Sequence, residues 1–185
     1  MMNDHKKKGV AIMPGSYDPI TVGHLDVIRR TAMAFDKVFV ALMINPEKNY
    51  MFDKNIRVEL AKASLSDLDN VEVIYDEGML SDLAVKLGCD AIVKGIRNEK
   101  DLAYESEMAR YNKEKCGIET IFIDSDKEYS YVSSTLVRDY IEKGDLSALD
   151  AVLPKGALDI IKKEELNDTY QNEGGKRRTS RHKNR

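Results

Sequence analysis

The amino-acid sequence predicts an α/β fold, a Rossmann-like doubly wound parallel sheet forming a single domain with C-terminal helices. Three observations predict it. Short β-rich runs alternate with longer helical ones, the order expected when helices cover a mostly parallel sheet. The β-rich runs are close to continuously apolar, Val38–Met43 most clearly, as strands buried on both faces must be. The alternation lasts about five units without internal repeat or linker, the amount that one doubly wound domain uses.

Taken in order, Val10–Met13 is the first strand, interrupted by Pro14. A helix follows His24, with Leu25, Ile28, Ala32 and Phe35 recurring at helical spacing. Val38–Met43 is the second strand, Ile56–Leu65 a helix, Val71–Ile74 a short strand and Met79–Leu87 a helix. Ala91-Ile92-Val93 is a further apolar strand that ends where Lys94-Gly95-Ile96-Arg97 begins. Leu102–Lys115 is a long helix and Thr120–Ile123 the last strand. Ser133-Ser134-Thr135 offers hydroxyls for an N-cap before the helix Leu136–Lys143. Leu146–Leu149 and Pro154–Lys163 read as closing helices, the second with proline near its start. The domain is expected over residues 9–166, between a basic N-terminal segment 1–8 and a basic tail 167–185, both with the composition of disorder.

With 185 residues, 42% hydrophobic and 33% charged, the chain can bury a core without disulfide or metal staples. No apolar run approaches the ~18 residues of a membrane span, and none after Lys6-Lys7-Lys8 is long enough for a signal peptide. Cys89 and Cys116 have neither metal-ligand spacing nor a disulfide framework, so a cytoplasmic location is expected. The net charge of -3 conceals an asymmetry, because Lys176, Arg177, Arg178, Arg181, Lys183 and Arg185 sit in a tail whose only acid after Asn172 is Glu173. The acidic body argues against specific nucleic-acid binding, which needs a basic face.

In such sheets ligands bind beyond the carboxyl ends of the strands, near the point where strand order reverses. The glycine-containing, polar and basic segments fall there: Pro14–His24, Asn45–Lys48, Lys94–Arg97 and Tyr129–Thr135 each follow a strand. Gly15 and Gly23 can take positive φ and admit a ligand close to the backbone. His24 stands at a helix start, where unpaired N–H groups favour phosphate. Each residue also has a plain reading. His24 and Ser133-Ser134-Thr135 can be caps, Lys48 and Lys94 surface charges, and Met79 and Met108 core. Arg97 can pair with Glu99, Asp101 or Glu105.

The run Gly15-Ser16-Tyr17-Asp18-Pro19-Ile20-Thr21-Val22-Gly23-His24 resembles the signature of the nucleotidyltransferase superfamily, whose hallmark is a T/H-x-G-H element. Its Pro-Gly-Ser-aromatic-Asp-Pro lead-in is similar to the phosphopantetheine adenylyltransferase branch. Asn45–Phe52, Lys94–Arg97, Asp101–Glu105 and Tyr129–Thr135 resemble further segments of that branch in the same order, and the resemblance runs from Val10 to Lys163. It implies transfer of the adenylyl group of Mg-ATP to 4′-phosphopantetheine, with Mg2+ carried by ATP and no protein metal site. It implies that His24, Lys48 and Ser16 are catalytic, and that Gly15, Ser16, Tyr17, His24, Lys94, Gly95, Arg97, Glu105, Tyr129, Ser133, Ser134 and Thr135 bind ATP. Ser16, Lys48, Met79, Leu80, Lys94, Met108 and Asn112 are the implied acceptor contacts. A homohexamer and coenzyme A as feedback ligand follow from the same resemblance. Lys94 departs from the arginine common in the branch, which removes a forked phosphate contact. Two other readings remain open at this point. One is a relative using a nicotinamide mononucleotide or glycerol-3-phosphate acceptor, and the other is a non-catalytic nucleotide-binding protein.

Overall fold

The computed structural model describes residues 9–46 and 48–163. The expected basic segments, and residues 164–166 at the end of the expected domain, lie outside the described residues. The chain runs β1 (Val10–Gly15), α1 (Val22–Ala34), β2 (Lys37–Met43), α2 (Lys54–Ser64), β3 (Val71–Asp76), α3 (Leu80–Lys86), β4 (Ala91–Ile96), α4 (Glu99–Cys116), β5 (Glu119–Asp124) and α5 (Ser134–Lys143). Residues 155–163 are helical. The strands form one parallel sheet of order β3-β2-β1-β4-β5. The chain therefore winds outward from β1 through β2 and β3, then returns to β4 and β5, and strand order reverses between β1 and β4.

Alternation along each strand builds two cores. Ala11, Met13, Val38, Val40, Leu42, Ala91 and Val93 face one way, against Val27, Ile28 and Ala32 of α1, Leu60 and Ala61 of α2, and Val137 of α5. Ile12, Phe39, Ala41 and Ile92 face the other, against Leu83 and Ala84 of α3. Pairing between β1 and β4 stops after Ala11↔Ala91 and Ile12↔Ile92, whereas β1 pairs with β2 along its whole length. The two central strands thus part near their carboxyl ends, and the crevice opens at the reversal point.

The differences from expectation fall at element ends. β1 continues through Pro14, which is accommodated where the ladder to β4 has already ended. β4 includes Lys94, Gly95 and Ile96, so Lys94 belongs to the strand and not to the loop after it. The first helix does not follow His24; Thr21 caps it and His24 lies within its first turn. α2 starts at Lys54 because Asp53 accepts from the backbone N–H groups of Asn55 and Ile56. α4 starts at Glu99 because Asn98 caps Asp101. Leu146–Leu149 is not a helix; only a single 3-10 turn forms, at Ala148–Ala151. Among the described residues no helix is long and apolar enough to cross a membrane.

Candidate active site

The loop after β1 takes its shape from Tyr17. Its φ is 45°, the positive-φ position that glycine would normally fill, and neither Gly15 nor Gly23 has positive φ. Such a conformation costs roughly 1–3 kcal/mol and persists only where the surroundings hold it. Here the Tyr17 ring is buried and its hydroxyl donates to the Met13 carbonyl at 3.0 Å. Gly15 is required for the same reason, since a Cβ there would lie 2.8 Å from Tyr17 Cε2. The expectation of glycine freedom in this loop is corrected accordingly: the glycine makes room for an aromatic ring.

Asp18, 3% exposed, ties three segments together. Its carboxylate accepts from Met51 N at 2.9 Å and Phe52 N at 3.0 Å, fixing the chain that follows Lys48. Its carbonyl accepts from Arg138 of α5 at 2.6 Å, and Ser134 Oγ donates to the Pro19 carbonyl at 2.8 Å. Lys48 Nζ consequently reaches Ser16 Oγ at 3.5 Å, bringing two of the expected catalytic residues into contact.

His24 sits at the third helical position of α1 in a reciprocal cap. Thr21 Oγ1 accepts from His24 N at 3.4 Å, and Thr21 N donates to His24 Nδ1 at 3.0 Å. A backbone N–H can only donate, so Nδ1 must hold a lone pair and the ring proton sits on Nε2. Loss of solvent around the ring, then the charges of Arg97 and Lys94, push the His24 pKa down to about 4. The imidazole is therefore neutral at neutral pH and offers one N–H donor. Tyr17 packs edge-on against it, with ring centroids 5.1 Å apart. The influence of both cations on this ring places the end of β4 in the same electrostatic neighbourhood as the start of α1.

The remaining expected residues divide. Lys94 Nζ pairs with Glu105 at 3.0 Å, and Arg97 Nε with Asp101 at 2.9 Å, so acids on α4 hold both cations beside the crevice. Ser133 is the N-cap of α5 and accepts from Leu136 N. Ser134 is engaged with Pro19, and Thr135 Oγ1 accepts from Arg138. Tyr129 lies against Gly23, 3.6 Å from a Cβ built there. Gly95 lets α1 approach β4, since a Cβ would meet Val27 at 3.2 Å. Met79 precedes α3 and Leu80 begins it, while Met108 and Asn112 are half-buried on α4. Among the described residues, His24 hydrogen-bonds to Thr21 and packs against Tyr17, and does neither with any of these four. A concavity of about 700 Å³ elsewhere, lined by Lys54, Val58, Lys62, Tyr75 and Ile160 among others, includes none of the expected residues. Among the described residues no group of three or more His, Cys, Asp or Glu could hold a metal ion.

Four contributors went unrecognised in the sequence: the caps and ties made by Thr21, Asp18 and Arg138, and the buried Arg57. Arg57 carried a readable signal. It occupies the buried stripe Arg57, Leu60, Ala61, Ser64 of α2, so the helical spacing itself points it inward.

Over 136 residues the chain is 45% identical to a phosphopantetheine adenylyltransferase of Caldanaerobacter subterraneus subsp. tengcongensis, covering 73% of this chain and 85% of that protein. A phosphopantetheine adenylyltransferase of Histophilus somni is 42% identical over 154 residues, 82% of this chain and 96% of that one. The chain belongs to the phosphopantetheine adenylyltransferase family. It is a nucleotidyltransferase, and a cytidylyltransferase-like family model matches residues 12–140. That span holds His24, Lys48, Lys94, Arg97, Glu105 and Ser133–Thr135, so the features assembled around the crevice all fall within it. The solved structure of a Plasmodium falciparum nicotinic acid mononucleotide adenylyltransferase complexed with NaAD shares the fold. Its TM-score is 0.61 at 14% identity, over 87% of this chain and 98% of that one.

Proposed function

We propose that this member of the family transfers the adenylyl group of Mg-ATP to 4′-phosphopantetheine, giving dephospho-coenzyme A and pyrophosphate, within coenzyme A biosynthesis. An oxygen of the acceptor's phosphate attacks the α-phosphorus of ATP in line, a new P–O bond forms, and the bond to the β-phosphate bridging oxygen breaks. Pyrophosphate leaves with the magnesium. The nucleophile is already ionised near neutral pH, so no general base and no covalent intermediate are needed, and the protein contributes positioning and charge stabilisation.

One observation carries the reading: a neutral imidazole, its tautomer set by Thr21, at a helix start that feels the charges of Arg97 and Lys94. Nε2–H of His24 donates to the α-phosphate as charge grows on it. Lys48, in contact with Ser16, bridges the phosphates of the two substrates while Ser16 orients the acceptor. Arg97 leaves Asp101 to fork onto the departing β- and γ-phosphates, and Lys94 assists as a point charge. Glu105 receives the ribose, Tyr17 and Gly15 line the adenylate through their backbone, and Tyr129–Thr135 close over ATP. The pantetheine arm lies along Met79, Leu80, Met108 and Asn112. A homohexamer is the expected assembly; exposed Leu102, Tyr104 and Tyr111 on α4 and Ile121 on β5 support self-association, and light scattering on the purified protein tests the number of subunits. A cytoplasmic location accords with free Cys89 and Cys116. Coenzyme A, sharing the pantetheine arm, is the expected feedback ligand.

The test is incubation with ATP, magnesium and each acceptor in turn. Mass-spectrometric detection of dephospho-coenzyme A with stoichiometric pyrophosphate is the expected result. Turnover with nicotinamide mononucleotide or glycerol 3-phosphate, and none with phosphopantetheine, would overturn it.

A further inference from the structure

Arg57 is 2% exposed, yet among the described residues it has no carboxylate partner. Its Nη1 donates to the Ser16 carbonyl at 2.8 Å, and its guanidinium carbon lies 4.0 Å from the centre of the Tyr50 ring. Its Nε is buried with no hydrogen-bond partner. Tyr50 in turn closes the turn that presents Lys48, its hydroxyl accepting from Asn45 N at 2.7 Å. One buried side chain thus underlies both loops whose tips, Ser16 and Lys48, meet at 3.5 Å.

Burying a guanidinium without a counter-charge is unfavourable, and an apolar residue of similar length would serve the packing better. Groups kept under that penalty cluster at functional sites. We propose that Arg57 is a positioning residue for the acceptor's phosphate. From beneath the two loops it holds the Ser16 backbone and Tyr50 in place, and it supplies a fixed positive charge that the incoming phosphate neutralises. It acts through Ser16 and Lys48, and the inference rests on the reading that these two residues receive phosphopantetheine.

The experiment measures binding of 4′-phosphopantetheine and of unphosphorylated pantetheine by calorimetry, so that the ratio of the two affinities isolates the phosphate. The proteins are the full chain and its Arg57→Gln, Arg57→Met and Arg57→Lys variants. Arg57→Gln keeps a donor for the Ser16 carbonyl and removes the charge; Arg57→Met is a second neutral variant should the first not fold. The neutral variants are expected to lose at least about tenfold of the phosphate preference, while pantetheine itself binds within about threefold of wild type. Arg57→Lys restores most of the preference, and in turnover the KM for phosphopantetheine rises more than kcat falls. A folded neutral variant that keeps the wild-type ratio, or weakens both ligands equally, overturns the inference and leaves the proposed function standing. A wild-type protein with no preference for the phosphorylated compound overturns the acceptor assignment and this inference together.

Discussion

Acidification tests the environment of His24 directly. Its pKa falls from an ordinary 6.5 to about 4 in the folded protein, so the unfolded chain takes up this proton first. Stability contributed by the neutral ring is fully present above pH 6.5 and is lost as pH falls from 6.5 toward 4. Evaluated between pH 7 and pH 5, the linkage gives a loss on the order of 2 kcal/mol from this one residue. Carboxylates contribute too, so the perturbation is His24→Gln, which removes the titration and leaves the rest. Urea unfolding of both proteins at the two pH values is the assay. Wild type should lose about 2 kcal/mol more than the variant across that interval, at an unchanged m-value. Equal losses in the two proteins would mean that the ring titrates near its ordinary value, and the argument for a neutral Nε2–H donor would fail with it.

Other outcomes follow from the same geometry. His24→Ala should lower kcat for adenylyl transfer by roughly two to three powers of ten, the scale of losing one donor to a developing oxyanion; a drop below about threefold would remove His24 from the chemistry. Lys94→Arg should lower the KM for ATP about threefold by restoring a forked phosphate contact, read from initial rates at saturating acceptor; an unchanged KM would show that a point charge suffices. Asp18→Asn leaves one of the N–H groups of Met51 and Phe52 without its acceptor. It should cost about 1–3 kcal/mol in urea unfolding, and a neutral substitution would mean those loops are held otherwise. Deleting residues 168–185 should leave kcat unchanged, and loss of activity would give the basic tail a role in the reaction.

How much of this was legible in the sequence depended on the range of the interaction. The strands could be read because burial on both faces leaves runs such as Val38–Met43 almost wholly apolar, and alternation between two cores needs no other information. The starts of α2 and α4 were read late because the apolar pattern begins only at Ile56 and Leu102, while Asp53 and Asn98 act upstream of it. The cations at the strand ends, and His24, were visible as residue types in an ordered set of segments. What they touch was not. Arg57 meets Ser16 across 41 positions, and Asp18 meets Phe52 across 34, and no local pattern announces either. The expectation of positive φ at Gly15 and Gly23 failed for a related reason: the demand for space at Gly15 comes from the ring of Tyr17, whose own positive φ breaks the rule that reserves such conformations for glycine.

The distribution of buried polar groups ties these points to the chemistry. The described residues contain six buried polar or charged side chains: Asp18, Thr21, Thr31, Arg57, Ser64 and Ser81. Thr31 and Ser64 merely return a hydroxyl to the Val27 and Leu60 carbonyls of their own helices. Asp18, Thr21 and Arg57 all serve the segment between β1 and α1. On the proposed mechanism, a reaction that needs no base has only geometry and charge to gain from its protein, and both are lost if the loops proposed to face the phosphates move by an ångström. Loops of this kind cannot be stiffened by a ladder of backbone hydrogen bonds, so the stiffness has to come from side chains bonded to backbone inside the fold. Three of the six gather at the mouth of the crevice because that is where irregular backbone must behave as if it were regular.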